Sequence, residues 1–316
     1  MVGTLLTNEK VKAMISPFLN FNDQGIERSV KEGLVQVNSS SAVDKNIKIS
    51  LDSCFYDSNK MGISFKLKFD DIKLLKGDIE KIGLFYSIKN GDGEYITEFT
   101  SGEKPLKGKQ NVIGSFSEKN PIMDLKNGEV QYDVVLESNK GNIPKLKDAV
   151  IEVESVNFFY KESYEDFFIE NNDNFKAIDG TWNLAISNKQ EQIKYVEYMA
   201  PSNKSKIEIL SAKASPTSFN IKFAIDTIFK NSKLFFIENI KLVNEKGEEY
   251  ESQGWDLEEK DGKTIISTNI PVSSYENVNK YKLIFSNIYE AILEEGQTSG
   301  GVKQVMPDVE IELIKK

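Results

Sequence analysis

The residues of this chain whose types could support acid–base chemistry are neighbouring carboxylates: Glu152 with Glu154, Glu248 with Glu249, and Glu258 with Glu259. Two carboxyl groups cleave a glycosidic bond when they face each other across a cleft, at a separation set by the fold. Spacings of one or two along a chain do not create that geometry, and solvated strand faces and turns account for these residues. A carboxylate-based glycoside hydrolase is therefore the enzymatic alternative, and the sequence selects no pair for it. Other chemistries are excluded more directly. There is no histidine, which removes histidine bases, Ser-His-Asp and Cys-His systems, and His-ligated metals. Cys54 is the single cysteine, so neither an intrachain disulfide nor a cysteine metal cluster can form. With no histidine or second thiol to activate it, Cys54 reads as a structural thiol.

Asn90-Gly91-Asp92-Gly93-Glu94 and Asn171-Asn172-Asp173-Asn174 superficially resemble calcium loops. Neither has the EF-hand's ladder of ligands closed by a terminal Glu, so both read as turns. Thr298-Ser299-Gly300-Gly301-Val302 lacks the lysine and helix of a P-loop and reads as a flexible turn. No catalytic residue, metal ligand or cofactor site is assigned, and the chain is not read as an enzyme. One group remains as a candidate partner surface: Tyr160, Tyr164, Phe167 and Phe168. Exposed aromatics mark peptide and carbohydrate contacts; the same side chains could instead plug the junction between two sandwiches. Trp182 and Trp255 sit beside β-patterned sequence and read as core residues.

The elements that must position these residues are strands. In 46–69 Ile47, Ile49, Leu51 and Phe55 alternate with Lys48, Ser50 and Asp52. After Asp57-Ser58-Asn59-Lys60 the alternation resumes with Met61, Ile63, Phe65, Leu67 and Phe69. Period two marks a strand with one buried face, and short polar side chains bend the chain between the two runs. The spacing thus predicts a long amphipathic hairpin whose apolar face a second sheet must cover. Further strands are predicted at 82–88, 94–99, 112–116, 130–136, 149–160 and 180–186. After a polar connector at 187–192, Ile207, Ile209, Phe219, Ile221, Phe223 and Ile225 repeat the hairpin around Ala214-Ser215-Pro216-Thr217, a weak internal repeat. Strands at 240–243, 263–270, 281–285 and 309–314 follow, with hairpin turns at 244–247 and 259–262. The expected architecture is all-β: two tandem immunoglobulin-like β-sandwiches at 41–187 and 195–316, preceded by a helical or linker segment at 1–40. There a short helix ends at Pro17. A second, the only substantial one, spans 23–32, capped by Asn22 or Asp23 and stopped by Gly33.

The chain has 316 residues, 39% hydrophobic and 28% charged, with net charge −9. That length suits two domains with their own cores. The acidic balance argues against nucleic acid or an anionic membrane surface as the main partner. No run approaches the roughly 20 apolar residues of a membrane span, and Met1-Val2-Gly3-Thr4-Leu5-Leu6 lacks the pattern of a signal peptide.

The stretches Asp23-Gln24-Gly25-Ile26-Glu27, Val37-Asn38-Ser39-Ser40, Ile47-Lys48-Ile49, Phe55-Tyr56-Asp57 and Met61-Gly62-Ile63-Ser64-Phe65, with Gly180-Thr181-Trp182 as a closing Gly-x-Trp strand, resemble the outer region of bacterial anti-sigma-factor-like membrane proteins. That region is called domain of unknown function 4179. Residues from about 195 onward resemble the immunoglobulin-like domain that often follows it, domain of unknown function 5643. The resemblance implies a non-catalytic extracytoplasmic sensor, anchored in the cell membrane in the full-length protein, with an unidentified extracytoplasmic ligand or protein partner. A sigma factor would be bound only by a cytoplasmic segment that this chain does not contain. A cell-surface adhesin or a carbohydrate- or peptide-binding module is the alternative, since it shares the fold and the aromatics.

Overall fold

The computed structural model describes residues 9–76, 79–99, 107–108, 113–124, 126–138, 141–160, 175–187, 195–201, 207–226, 235–292, 301–306 and 308–316. Among the described residues, apart from helices α1 (Glu9–Leu19) and α2 (Gln24–Lys31) and short 3-10 turns, the regular elements are strands. In order they are β1 (Gln36–Val37), β2 (Ser41–Asp44), β3 (Ile47–Tyr56), β4 (Lys60–Phe69), β5 (Ile79–Lys89), β6 (Tyr95–Phe99), β7 (Ile113–Asp124), β8 (Glu129–Ser138), β9 (Val150–Tyr160) and β10 (Phe175–Ala185). Then follow β11 (Val196–Met199), β12 (Ile207–Ala214), β13 (Phe219–Asp226), β14 (Phe235–Asn244), β15 (Glu249–Glu251), β16 (Trp255–Lys260), β17 (Lys263–Ile270), β18 (Lys280–Ile292), β19 (Gly301–Met306) and β20 (Val309–Lys315). The chain divides into two compact units: Met1–Asn22 with Val30–Gln192, and Asp23–Ser29 with Ile193–Lys316.

The first unit is a sandwich. One antiparallel sheet runs β1-β3-β4-β8-β7, with β2 also on β3; the other runs β10-β9-β5-β6. Ile47, Ile49 and Leu51 of β3, and Met61, Ile63, Phe65, Leu67 and Phe69 of β4, meet Ile82, Leu84, Tyr86, Ile151, Val153 and Trp182 in one core. Phe55 does not belong to that face. The β3–β4 register shifts between Leu51 and Ser53, so Cys54 lies opposite Ile63 and Phe55 opposite Gly62. Such a bulge adds one residue to a strand and inverts the faces beyond it. Cys54 and Tyr56 therefore point into the core. Phe55 turns to the other face, where its ring covers Gly62 and meets Phe18 of α1 edge-on at 4.9 Å.

Helix α1 is longer than α2 and does not stop at Pro17. Proline removes one N–H from the helical ladder, and the Ser16 hydroxyl donates to the Ala13 carbonyl at 3.3 Å in its stead. Asp23 is the cap of α2, its Oδ1 accepting from the Ile26 amide at 2.9 Å, and Gly33 ends that helix at φ +91°. The hairpin turn 57–60 is buried, unlike an ordinary solvent-facing turn. Asp57 Oδ1 accepts from the amides of Asn59 and Lys60, while the carbonyls of Ser58 and Asn59 accept from Ile143 and Ser138.

A seam closes this sandwich. Trp182 is fully buried and donates its indole N–H to the Ile47 carbonyl at 2.8 Å. Asp44 Oδ2 accepts from the Thr181 amide at 2.8 Å; Ser40 Oγ accepts from the Ala185 amide at 2.8 Å; Asn38 donates to the Ala185 carbonyl at 3.3 Å. Gly180 has to be glycine, since a Cβ there would lie 2.4 Å from the Trp182 ring.

In the second unit β11 changes partners partway along. Val196 and Glu197 pair with β12, and Tyr198 and Met199 with β20. It thereby joins β11-β12-β13-β17-β16 to β15-β14-β18-β20-β11, with β19 also on β18. Phe219, Ile221, Phe223 and Ile225 fill the core with Leu242, Leu283 and Phe285. The β12–β13 hairpin, like β3–β4, shifts register in its first strand, between Ile209 and Ser211. Trp255 is half-buried at the border of this core. Gly301 and Val302, expected in a turn, pair with β18 at the start of β19; residues 298–300 lie outside the described residues.

Candidate partner-binding surface

Of the aromatic group singled out in the sequence, Tyr160 is half-buried against the core of the first unit. Tyr164, Phe167 and Phe168 lie outside the described residues, as does 171–174. The described strands on either side present a different pair. Phe158 faces the core, so alternation turns Phe159 outward. Phe159 stands opposite Phe175 of β10, with ring centroids 5.3 Å apart and Phe175 41% exposed. The Lys81 ammonium sits 5.6 Å from the centroid of Phe159 and pairs with Glu118, which also accepts the Tyr132 hydroxyl at 2.7 Å. Burial holds the Lys81 ammonium below the usual lysine pKa.

Farther along the same face lies a charged cluster. Glu152 and Glu154 are on one strand and share one cation, the Lys107 ammonium, which is 3.5 Å from Glu152 and in contact with Glu154. Tyr95 donates its hydroxyl to Glu152 at 3.0 Å, and its ring carries Lys89 and Lys107 at 5.5 and 5.6 Å. Burial and then the bond to Glu152 push the Tyr95 hydroxyl up. Burial opposes the charge on Lys107, but the bond and charge of Glu154 outweigh it and raise its pKa. Buried Glu98 accepts the successive amides of Lys107 and Gly108 at 2.7 and 2.8 Å. The cluster pins 107–108 to the sheet, and its carboxylates stand side by side instead of across a cleft.

The other acidic pairs also answer to structure. Glu248 accepts from Asn244 at 2.5 Å and from the Tyr250 hydroxyl at 3.2 Å, while Glu249 pairs with Lys241 at 2.9 Å. Glu258 and Glu259 are exposed on β16. The 90–94 segment is a hairpin turn, with the Gly93 amide donating to the Asn90 carbonyl and Asp92 accepting the Glu94 amide. No cluster able to hold a metal occurs among the described residues. Cys54 is buried, and desolvation pushes its thiol up to about 11 against a bond from Asn38. In the second unit a cleft of about 850 Å³ opens where β11 leaves β12. Met199 and Leu210 are exposed in it, and Glu197 pairs with Lys213 and Lys316 at 3.1 and 3.0 Å.

The pairing of Phe159 with Phe175 is readable in part from strand parity. The Lys107 cluster is not, since it depends on which loop returns over the sheet. No family model matches the chain, and no curated protein matches it. Among solved structures the chain is similar to a conserved domain protein from Bacillus anthracis, with a TM-score of 0.53 and 14% identity over 89% of this chain and 92% of that one. At that identity the likeness speaks for the fold alone.

Proposed function

We propose that this chain is a non-catalytic regulatory module, the extracytoplasmic part of a membrane-anchored anti-sigma-factor-like protein. The observation that carries this reading is the seam of the first unit. Stretches on which the resemblance rests, 37–40, 47–49 and 180–182, lie far apart in sequence. The indole of Trp182 reaches Ile47, and Asn38 and Ser40 bond the backbone of Ala185, three residues beyond it. They act as one joint, which supports reading them as a single signature instead of separate short matches. The sharing of Lys107 by Glu152 and Glu154 supports reading that pair as structural and not as a hydrolytic pair. Sandwiches host many functions, so the decisive test is genetic. An upstream reading frame encoding roughly 20 apolar residues and a cytoplasmic segment, beside a sigma-factor gene, is the expected finding. If deleting the gene leaves every sigma-dependent transcript unchanged, the reading fails.

The Phe159–Phe175 pair, of which Phe175 is exposed, favours one second reading, a carbohydrate- or peptide-binding module. Glycan-array binding that disappears in Phe175→Ala would select it.

A further inference from the structure

We propose that the cleft of the second unit docks an extended peptide, which adds a strand to the open edge of β12. On one side β12 pairs with β13 from Ile207 to Ala214. On the other, β11 covers only Lys213 and Ala214 before Tyr198 and Met199 cross to β20. Among the described residues no strand takes the place that β11 leaves beside 208–212. In an antiparallel ladder every second residue turns its N–H and C=O away from the paired neighbour, so this stretch points donors and acceptors into the cleft. Edges that stay single are commonly guarded by charge, as the edge strand β16 is by exposed Glu258, Glu259 and Lys260. The middle of the β12 edge, Ile209-Leu210-Ser211-Ala212, carries no charge. A register shift between Ile209 and Ser211 leaves Leu210 unpaired with β13 and 44% exposed, and Met199 across the cleft is 47% exposed.

The walls select the occupant. Glu197, Tyr198, Met199 and Lys316 stand across from β12, so its edge is recessed. A second copy, recessed in the same way, cannot bring its own β12 against it, whereas a free extended segment can enter. Charge sets the chemistry of that segment. Lys213 and Lys316 share the Glu197 carboxylate at 3.1 and 3.0 Å, and Lys263 pairs with Glu208 at 2.5 Å. Among the side chains lining the cleft, three ammoniums thus face two carboxylates, on a chain of net charge −9. The fitting peptide presents an apolar side chain to Leu210 and Met199 and an acidic one to the excess ammonium. Main-chain bonds supply affinity and these two contacts supply specificity.

This inference concerns the second unit and does not depend on the regulatory reading above, so either can fail alone. The test selects a phage-displayed library of random heptapeptides on the full chain and follows the best synthetic peptide by amide hydrogen exchange of the protein. Selected sequences should share an acidic residue beside an apolar one. In the free chain the amides of 208–212 that face the cleft should exchange roughly tenfold or more faster than those of β13, and the peptide should slow them by a similar factor. N-methyl groups on one set of alternate peptide residues should weaken binding roughly tenfold or more, and on the other set leave it nearly unchanged. Leu210→Lys should weaken it comparably, by placing a charge on the edge. Failure to enrich any peptide, protection at segments other than β12, or indifference to Leu210→Lys or to the parity of N-methylation would each overturn the proposal. Protection of 208–212 that rises with chain concentration alone would identify a second copy as the occupant and overturn it too.

Discussion

The Trp182 indole N–H donates to the Ile47 carbonyl at 2.8 Å, tying the closing strand of the first sandwich to the start of its first hairpin across 135 residues of chain. The bond is fully buried, so the carbonyl has no water to turn to if the donor is lost. Trp182→Phe removes the donor and leaves a void beside Ile47. The expected cost is about 2–4 kcal/mol, read as a lower urea midpoint with an unchanged slope. Only Trp182 and Trp255 fluoresce as tryptophan, so the variant should also lose the blue-shifted part of the emission.

Gly62 is the floor on which Phe55 lies, and a Cβ there would come within 2.1 Å of the ring. Gly62→Ala should displace Phe55 and with it Phe18, loosening α1 at a cost of about 1–3 kcal/mol. Proteolysis within α1 that speeds up before the sandwich melts is the expected signature.

Cys54 titrates near 11 because burial disfavours the thiolate. A raised folded pKa gives a contribution to stability that is whole below the ordinary thiol value of 9.0 and is lost as pH rises through about 11. Ellman's reagent should therefore react only at the rate of unfolding at pH 8, and immediately in denaturant. Fast reaction in native buffer would contradict this burial.

Asp133 is buried, and desolvation raises its carboxyl above the usual value despite bonds from Ser64 at 2.7 Å and Gln131 at 2.9 Å. Its contribution is whole at low pH and lost as pH rises through the raised folded pKa. Asp133→Asn keeps an acceptor for Ser64 without the charge. It should melt higher than the parent at pH 7, with the gap closing as pH falls toward the ordinary aspartate value of 3.8.

The sequence by itself determined the strand class, the main hairpins and the turn at Asn90. Alternation and turn chemistry are local, and β4 follows its parity without exception from Met61 to Phe69. It likewise narrowed the cap to Asn22 or Asp23, of which the structure uses Asp23, and marked Gly33 as a stop, because capping involves only neighbours along the chain. Tertiary structure decided what local rules cannot see. A bulge between Leu51 and Ser53 sent Phe55 to the face under α1, since one added residue reverses every side chain beyond it. The polar turn 57–60 is buried because a returning segment supplies partners for its backbone. The Lys107 cluster and the Trp182 seam join residues that are neighbours only after folding, and the pairing of Asp23–Ser29 with the second unit depends on shape at Gly25 and Thr217.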